Sequence, residues 1–325
     1  MRKFFIILFG AIQLIACNQV TKSAQKVEKS VNVPSFSSDS AYKFVQQQVN
    51  FGPRVPNTKA QIECANYLSS TLKRFGAQVI EQKANLIAFD GTSLQSINII
   101  GTINPKAESR VLLFSHWDSR PWADNDPNPA NHKKPVMGAN DGASGVGVLL
   151  EMARQFHNQQ PNIGVDIIFF DTEDYGATEE FRGENTEDSW CLGTQYWVKN
   201  PHISGYHARF GILLDMVGGA QATFYREQIS EYYATDVVSK VWSQAKSLGF
   251  GQYFIDQKGG AVTDDHVYVN KIAGIPSIDI IQFDPNSDSG FASYWHTVDD
   301  VMKNVDKNTL QAVGTTLMHV VYNEK

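Results

Sequence analysis

Ionisable residues in this 325-residue chain gather where apolar runs end. Val111-Leu112-Leu113-Phe114 runs into Ser115-His116-Trp117-Asp118, and Ile167-Ile168-Phe169-Phe170 into Asp171-Thr172-Glu173-Asp174. Gly211–Leu214 runs into Asp215, and Asp141 sits in Gly138-Ala139-Asn140-Asp141-Gly142 just before a helical stretch. One Asp after a strand is usually a helix cap. Four such placements together point to a site, because ligands of open α/β sheets bind beyond the carboxyl ends of the strands. Like charges brought to one edge need a cation or hydrogen bonds to offset them, so a metal is the natural inference. Carboxylates with imidazole, and no Cys in these runs, suit Zn²⁺ with one position left for water or substrate. His296, in Ser293-Tyr294-Trp295-His296-Thr297-Val298-Asp299-Asp300, is the candidate imidazole. His132, His157, His202, His207 and His319 fall in polar loops or helices and read as solvated or structural.

These residues need strands to deliver them. Ser96–Ile103, Val111–Ser115, Val165–Phe170, Gly211–Leu214 and Ser277–Phe283 are nearly continuous in Val, Ile, Leu and Phe, as strands buried on both faces are. Helical spacing is expected after Ser38-Asp39-Ser40, after Asn57-Thr58, over Gly145–Phe156 and Glu231–Leu248, and through Leu310, Val313, Leu317 and Val321. Such alternation predicts an α/β fold: a three-layer α/β/α sandwich around a central mixed, mostly parallel sheet.

A net charge of −6, with 42% apolar residues, fits a globular protein and argues against nucleic acid as a partner. Arg2 and Lys3 precede an apolar run from Phe4 to Ala16, too short for a membrane span of ~20 residues but suited to a signal peptide. Leu14-Ile15-Ala16-Cys17 resembles a bacterial lipobox, which would make Cys17 the lipidated first residue of the mature chain. The expected organisation is a signal peptide over 1–16, a lipidated Cys17 and tether over 17–37, and one catalytic domain over 38–325. That implies anchoring to the bacterial cell envelope on the periplasmic side, with the lipid membrane as a partner. Cys64 and Cys191 are expected to be free thiols.

The set GANDGASG (138–145), FFDTED (169–174), LLDMVGG (213–219), TDDH (263–266) and YWHTVDD (294–300) resembles the zinc-dependent, animal-type glutaminyl-peptide cyclotransferases and their bacterial lipoprotein relatives. The similarity runs over about residues 40–323, and RPWADNDPNP (120–129) looks like the bacterial branch. The fold is shared with zinc aminopeptidases. The resemblance implies one Zn²⁺ per chain held by Asp141, Asp174 and His296, with Asp174 standing where the animal enzymes have Glu. It implies Glu173 as general acid/base, Asp215 and Asp264 as further catalytic aspartates, and Trp295 and Phe291 as the aromatic wall for substrate. The animal active-site disulfide has no counterpart, since Ser115 occupies one of its Cys positions.

The implied reaction turns an N-terminal Gln of peptides and proteins into pyroglutamate with release of ammonia. A two-zinc aminopeptidase is the nearest rival, because His116, Asp118 and Asp215 could complete a second site bridged by Asp141. A non-catalytic binding protein on a peptidase-like fold is the remote one.

Overall fold

The computed structural model describes residues 1, 4, 31–178, 180, 181, 183, 186 and 188–325. The signal-peptide and lipobox readings, Cys17 included, lie outside the described residues. Asn32–Lys325 form one compact unit. Its packing reaches back beyond Ser38: Phe36 is buried, and the Ser37 N–H donates to Glu151 Oε1 at 3.1 Å.

The chain order is α1 (Ser38–Val49), α2 (Lys59–Arg74), β1 (Gln78–Ile87), β2 (Ser93–Ile103), β3 (Arg110–His116), α3 (Ala143–Asn158), β4 (Gly164–Phe170) and α4 (Leu192–Lys199). β5 (Gly211–Asp215), β6 (Phe224–Arg226), α5 (Gln228–Ser247), β7 (Phe254–Lys258), α6 (Asp265–Tyr268), β8 (Ser277–Ile281) and α7 (Lys307–Asn323) follow. Six strands form one sheet in the order β1-β2-β4-β3-β5-β8. The β4–β3, β3–β5 and β5–β8 pairs are parallel, whereas β1 and β2 add on antiparallel. The sheet is mixed and mostly parallel, flanked by helices, as the alternation of runs predicts.

Why the central strands carry unbroken apolar runs is visible in the two cores. Val111, Leu113, Val165, Ile167, Phe169, Ile212 and Leu214 join one cluster with side chains of α1, α2, α3, α5 and α7. Leu112, Phe114, Ile168, Phe170 and Leu213 point the other way, into a smaller cluster with α4 and α6. Both faces are covered, so no polar alternation survives. α3 packs very close to the sheet. A Cβ on Gly145 would lie 2.3 Å from the Leu214 carbonyl oxygen and 2.4 Å from Ser115 Oγ. This contact brings the start of α3, and Asp141 ahead of it, over the ends of β3 and β5.

Side chains cap several helices, at Thr58 as the sequence suggests but at Ser37, one residue before the expected Ser38-Asp39-Ser40, and at a Glu for α5. Ser37 Oγ accepts from the Ser40 N–H at the start of α1, and Thr58 Oγ1 from the Gln61 N–H at the start of α2. At α5 the cap is Glu227, whose carboxylate accepts from the N–H groups of Ile229 and Ser230. Cys64 and Cys191 are buried free thiols, and burial pushes the Cys64 thiol up to about 12.

Candidate active site

The parallel strands β3, β4 and β5 end side by side, with His116 opposite Phe170 and Phe114 opposite Leu213. Asp118, Glu173, Asp174 and Asp215 follow at or just past those ends. The backbone there takes conformations that side-chain-bearing residues avoid. Thr172, Met216 and His296 all have φ near +50 to +58°, a strain of roughly 1–3 kcal/mol each that the surrounding bonds must hold.

Two buried carboxylates brace the loops that carry the acidic side chains. Asp118 accepts from the N–H of Glu173 and the N–H of Asp174, both at 3.1 Å. Asp300 accepts in the same manner from Asn140 N–H at 2.8 Å and Asp141 N–H at 3.1 Å. Each aspartate therefore clamps two successive amides of a loop that presents acidic side chains. The buried guanidinium of Arg54 adds a third tie, donating to the carbonyls of Trp117, Met137 and Gly138. Asp171, the first acid after β4, is used structurally: its Oδ2 accepts from the Ile97 N–H and from Gln61 Nε2.

The side chains so placed line a pocket of about 150 Å³. Asp141, Glu173, Asp174, Asp215, Asp264, Phe291, Trp295 and His296 all reach it, so every site residue expected of the folded domain is present in one cavity. Trp190, Met216, Val262 and Ile281 also line it, and nothing in their sequence context marks them out. The Trp295 ring stacks on the His296 ring at 3.8 Å between centroids, with Phe291 at 4.7 Å from Trp295.

Two sets of donors meet here, sharing Asp141: Asp141, Asp174 and His296, and His116, Asp141 and Asp215. In the first, His296 Nε2 lies 3.2 Å from Asp174 Oδ1 and 3.6 Å from Asp141 Oδ2. Tetrahedral zinc with bonds of 2.0–2.2 Å separates its ligand atoms by about 3.3–3.5 Å. Asp174 Oδ1 is buried and has no hydrogen-bond partner among the described residues, its nearest cation being the Arg120 guanidinium at 3.8 Å, and a buried carboxylate oxygen without a hydrogen bond is costly unless a cation lies closer. The first set fits zinc. In the second, His116 Nε2 lies 2.9 Å from Asp141 Oδ1 and 3.1 Å from Asp215 Oδ1, which are hydrogen-bond distances.

Electrostatics separate the groups further. Burial, reinforced by the Arg120 charge, pushes the His296 imidazole down to about 3, so it is neutral and able to ligate. Burial works against ionisation of Asp141, but the hydrogen bond and charge of His116 hold it below the usual carboxylate range. Burial lifts Glu173 well above that range despite His116, and lifts Asp215 to about 8 with help from Asp141. His296 is also framed from outside. Its Nδ1 lies 3.6 Å from Asp124 Oδ1, and Asp124 is gripped through both oxygens by the buried Arg120 at 2.6 and 2.8 Å. Such outer partners orient a ligand imidazole.

The family pattern of peptidase family M28 matches residues 98–321 of the chain. The chain belongs to peptidase family M28. Its similarity to solved M28-fold structures is high: a Zn-dependent exopeptidase from Parabacteroides distasonis shares 58% identity over 90% of this chain and 100% of that one, with a TM-score of 0.89. A Bacteroides thetaiotaomicron glutaminyl cyclase, solved with N-acetylhistamine, shares 56% identity over 90% and 100%, again with a TM-score of 0.89. The bovine glutaminyl-peptide cyclotransferase is 23% identical over 81% of this M28 chain and 76% of its own length.

Proposed function

We propose that this M28 chain is a glutaminyl-peptide cyclotransferase, releasing ammonia as it closes an N-terminal Gln to pyroglutamate. The observation that carries this reading is the small, aromatic-walled pocket in which Glu173, Asp215 and Asp264 stand beside the Asp141, Asp174 and His296 donor set. Relatives named glutaminyl cyclases support it.

Asp141, Asp174 and His296 would hold one Zn²⁺, which when bound supplies Lewis acidity toward the side-chain amide carbonyl of Gln. The protein's own groups account for the rest. The α-nitrogen attacks the side-chain amide carbon, Cδ, the bond from that carbon to the amide nitrogen breaks, and the nitrogen leaves as ammonia. Glu173 takes the proton from the attacking amine and returns it to the leaving nitrogen. Burial raises its pKa, which favours return of the proton to the leaving nitrogen, and general acid–base transfer contributes about 10²–10⁴ in rate. Asp118 fixes its backbone, and Cys191 Sγ lies 3.4 Å from Glu173 Oε1. Asp215 and Asp264, both buried with raised pKa values, offer protonated or shared-proton partners for the amide nitrogen. Trp295 and Phe291 hold the aliphatic part of the side chain, so that attack becomes a matter of position. His116 spends its Nε2 on Asp141 and Asp215, which favours a hydrogen-bonding role for it over a second zinc. Anchoring through a lipidated Cys17 on the periplasmic side of the envelope belongs to the same proposal and rests on the charged start, apolar run and lipobox of residues 1–17.

The test is Glu173→Gln. Ammonia release from a Gln-peptide should fall at least about 100-fold while the variant keeps one zinc per chain. Unchanged turnover would remove Glu173 from the chemistry, and two tightly held zinc ions would favour the exopeptidase reading.

A further inference from the structure

A pocket of about 150 Å³ is well below the ~300 Å³ at which sites for larger ligands begin. It takes one side chain, so the remainder of a peptide must lie outside it. Its wall of Trp190, Trp295 and His296 is shared with a second cleft of about 430 Å³. That cleft in turn shares Asp124, Asn125 and Thr178 with a third of about 390 Å³, which extends to Trp122, His132 and Lys133. The three lie side by side, each sharing lining residues with the next.

We infer that this groove is an extended peptide-binding site, receiving the residues that follow the N-terminal Gln and favouring an aromatic side chain beyond the second position. The inference rests on the cyclase reading and adds a substrate class to it.

Three features give the groove this chemistry. Asn125 is exposed and lies in both outer clefts. Its backbone N–H is spent on the His296 carbonyl at 3.1 Å, but its side-chain amide makes no hydrogen bond among the described residues. A primary amide offers donors and an acceptor, which match the N–H and C=O of an extended peptide leaving the pocket. Trp122 is held rigidly, edge-on to Tyr175 at 5.0 Å and to Phe89 at 6.1 Å, with the Arg120 guanidinium 5.4 Å from its ring. A fixed indole in a cleft wall is a surface for another aromatic ring. Asp124 has its charge matched by the bidentate Arg120, so this carboxylate does not itself select a charged peptide. The RPWADNDPNP segment, which the catalytic reading leaves largely unused, supplies Trp122, Asp124 and Asn125 together.

The experiment measures ammonia release by the zinc-loaded protein from Gln-Ala amide, Gln-Ala-Ala-Ala amide, Gln-Ala-Phe-Ala amide and Gln-Ala-Ala-Phe amide. The better of the two Phe peptides should exceed the dipeptide by ~10-fold in kcat/KM, carried by KM, since burying part of a ring is worth about a factor of ten. Asn125→Ala should lower the tetrapeptide-to-dipeptide ratio of kcat/KM by ~5-fold, the value of a typical hydrogen bond. Because that side chain makes no other hydrogen bond among the described residues and is exposed, the substitution leaves the fold in place. Trp122→Ala should abolish the preference for Phe over Ala, with its melting temperature recorded alongside. Equal kcat/KM for all four peptides, or a ratio untouched by Asn125→Ala, overturns the groove while leaving the cyclase reading intact. No ammonia from any peptide, the dipeptide included, overturns both.

Discussion

Asp299 and Asp300 are neighbours in the chain with opposite duties, and exchanging each for Asn tests how the metal loop is held. Asp300 is almost fully buried and accepts two amides, from Asn140 and Asp141. Burial, with the charge of Asp141, lifts it to about 7, so at pH 8 the carboxylate is ionised. In Asp300→Asn one oxygen still accepts, but the other becomes an NH₂ facing a backbone N–H. Losing a charged acceptor costs about 1.5–3 kcal/mol and stranding a buried donor about 1–3 kcal/mol more. The sum, about 3 kcal/mol or above, falls on the loop that aims Asp141, so zinc affinity should drop by ~10–100-fold. Asp299→Asn removes only an exposed pair with Lys303 at 3.2 Å, worth well under 1 kcal/mol. Chelator competition at pH 8 gives the zinc affinity, and urea unfolding of the metal-free proteins gives the stability. If Asp300→Asn binds zinc as tightly as the parent, or if the two variants behave alike, the amide-clamp reasoning fails.

Gly142 passes so close to His116 that a Cβ would lie 2.5 Å from its Nε2 and its carbonyl oxygen. Gly142→Ala should therefore displace His116 or the Asp141 loop and lower turnover by at least ~10-fold, measured as ammonia release at saturating zinc. Stability at low pH should report on Glu227. Its hydrogen bonds to His266 and to the start of α5 overcome burial and hold it at about 2, against an ordinary 4.5. A depressed carboxylate stabilises fully above pH 4.5 and loses that contribution as the pH falls toward 2, a change on the order of 3 kcal/mol. Urea midpoints of Glu227→Gln should be lower than the parent's at neutral pH and converge with them near pH 2. Removing zinc leaves the buried Asp141 and Asp174 beside each other with only His116 and Arg120 to offset them. The melting temperature should fall on chelation and recover fully at one equivalent of Zn²⁺ per chain.

How far the sequence can be read depends on what each residue's neighbours reveal. The central strands were legible because burial on both faces leaves an unbroken signature, as in Val111–Phe114 and Ile167–Phe170. β1 was not, since an edge strand with alternating half-exposure, rich in Gln, Glu and Lys, shows neither a run nor a clean alternation. α4 was hidden for another reason: Cys191, which opens it, has φ +58° and provides no side-chain cap. The eight pocket residues could be named because acids and imidazole at strand ends are conspicuous and because the motifs resemble a known family. Asp300 and Arg54 could not be given roles, and Asp118 could be read only as a candidate for a second zinc site or for hydrogen bonding. Their partners are backbone groups 55 to 160 positions away, or carbonyls of separate loops, and no local pattern encodes such a partner. His116 stayed ambiguous because a metal ligand and a hydrogen-bonding imidazole have the same spacing in the sequence, and its Nε2 lies close to both Asp141 and Asp215.

The most direct measurement is the product itself. A peptide beginning Gln-Ala, incubated with the zinc-loaded protein and followed by mass spectrometry and ammonia assay, should lose ammonia stoichiometrically and remain otherwise whole. Release of free glutamine with the shortened peptide, and no ammonia, would contradict the cyclase reading and make the chain an exopeptidase.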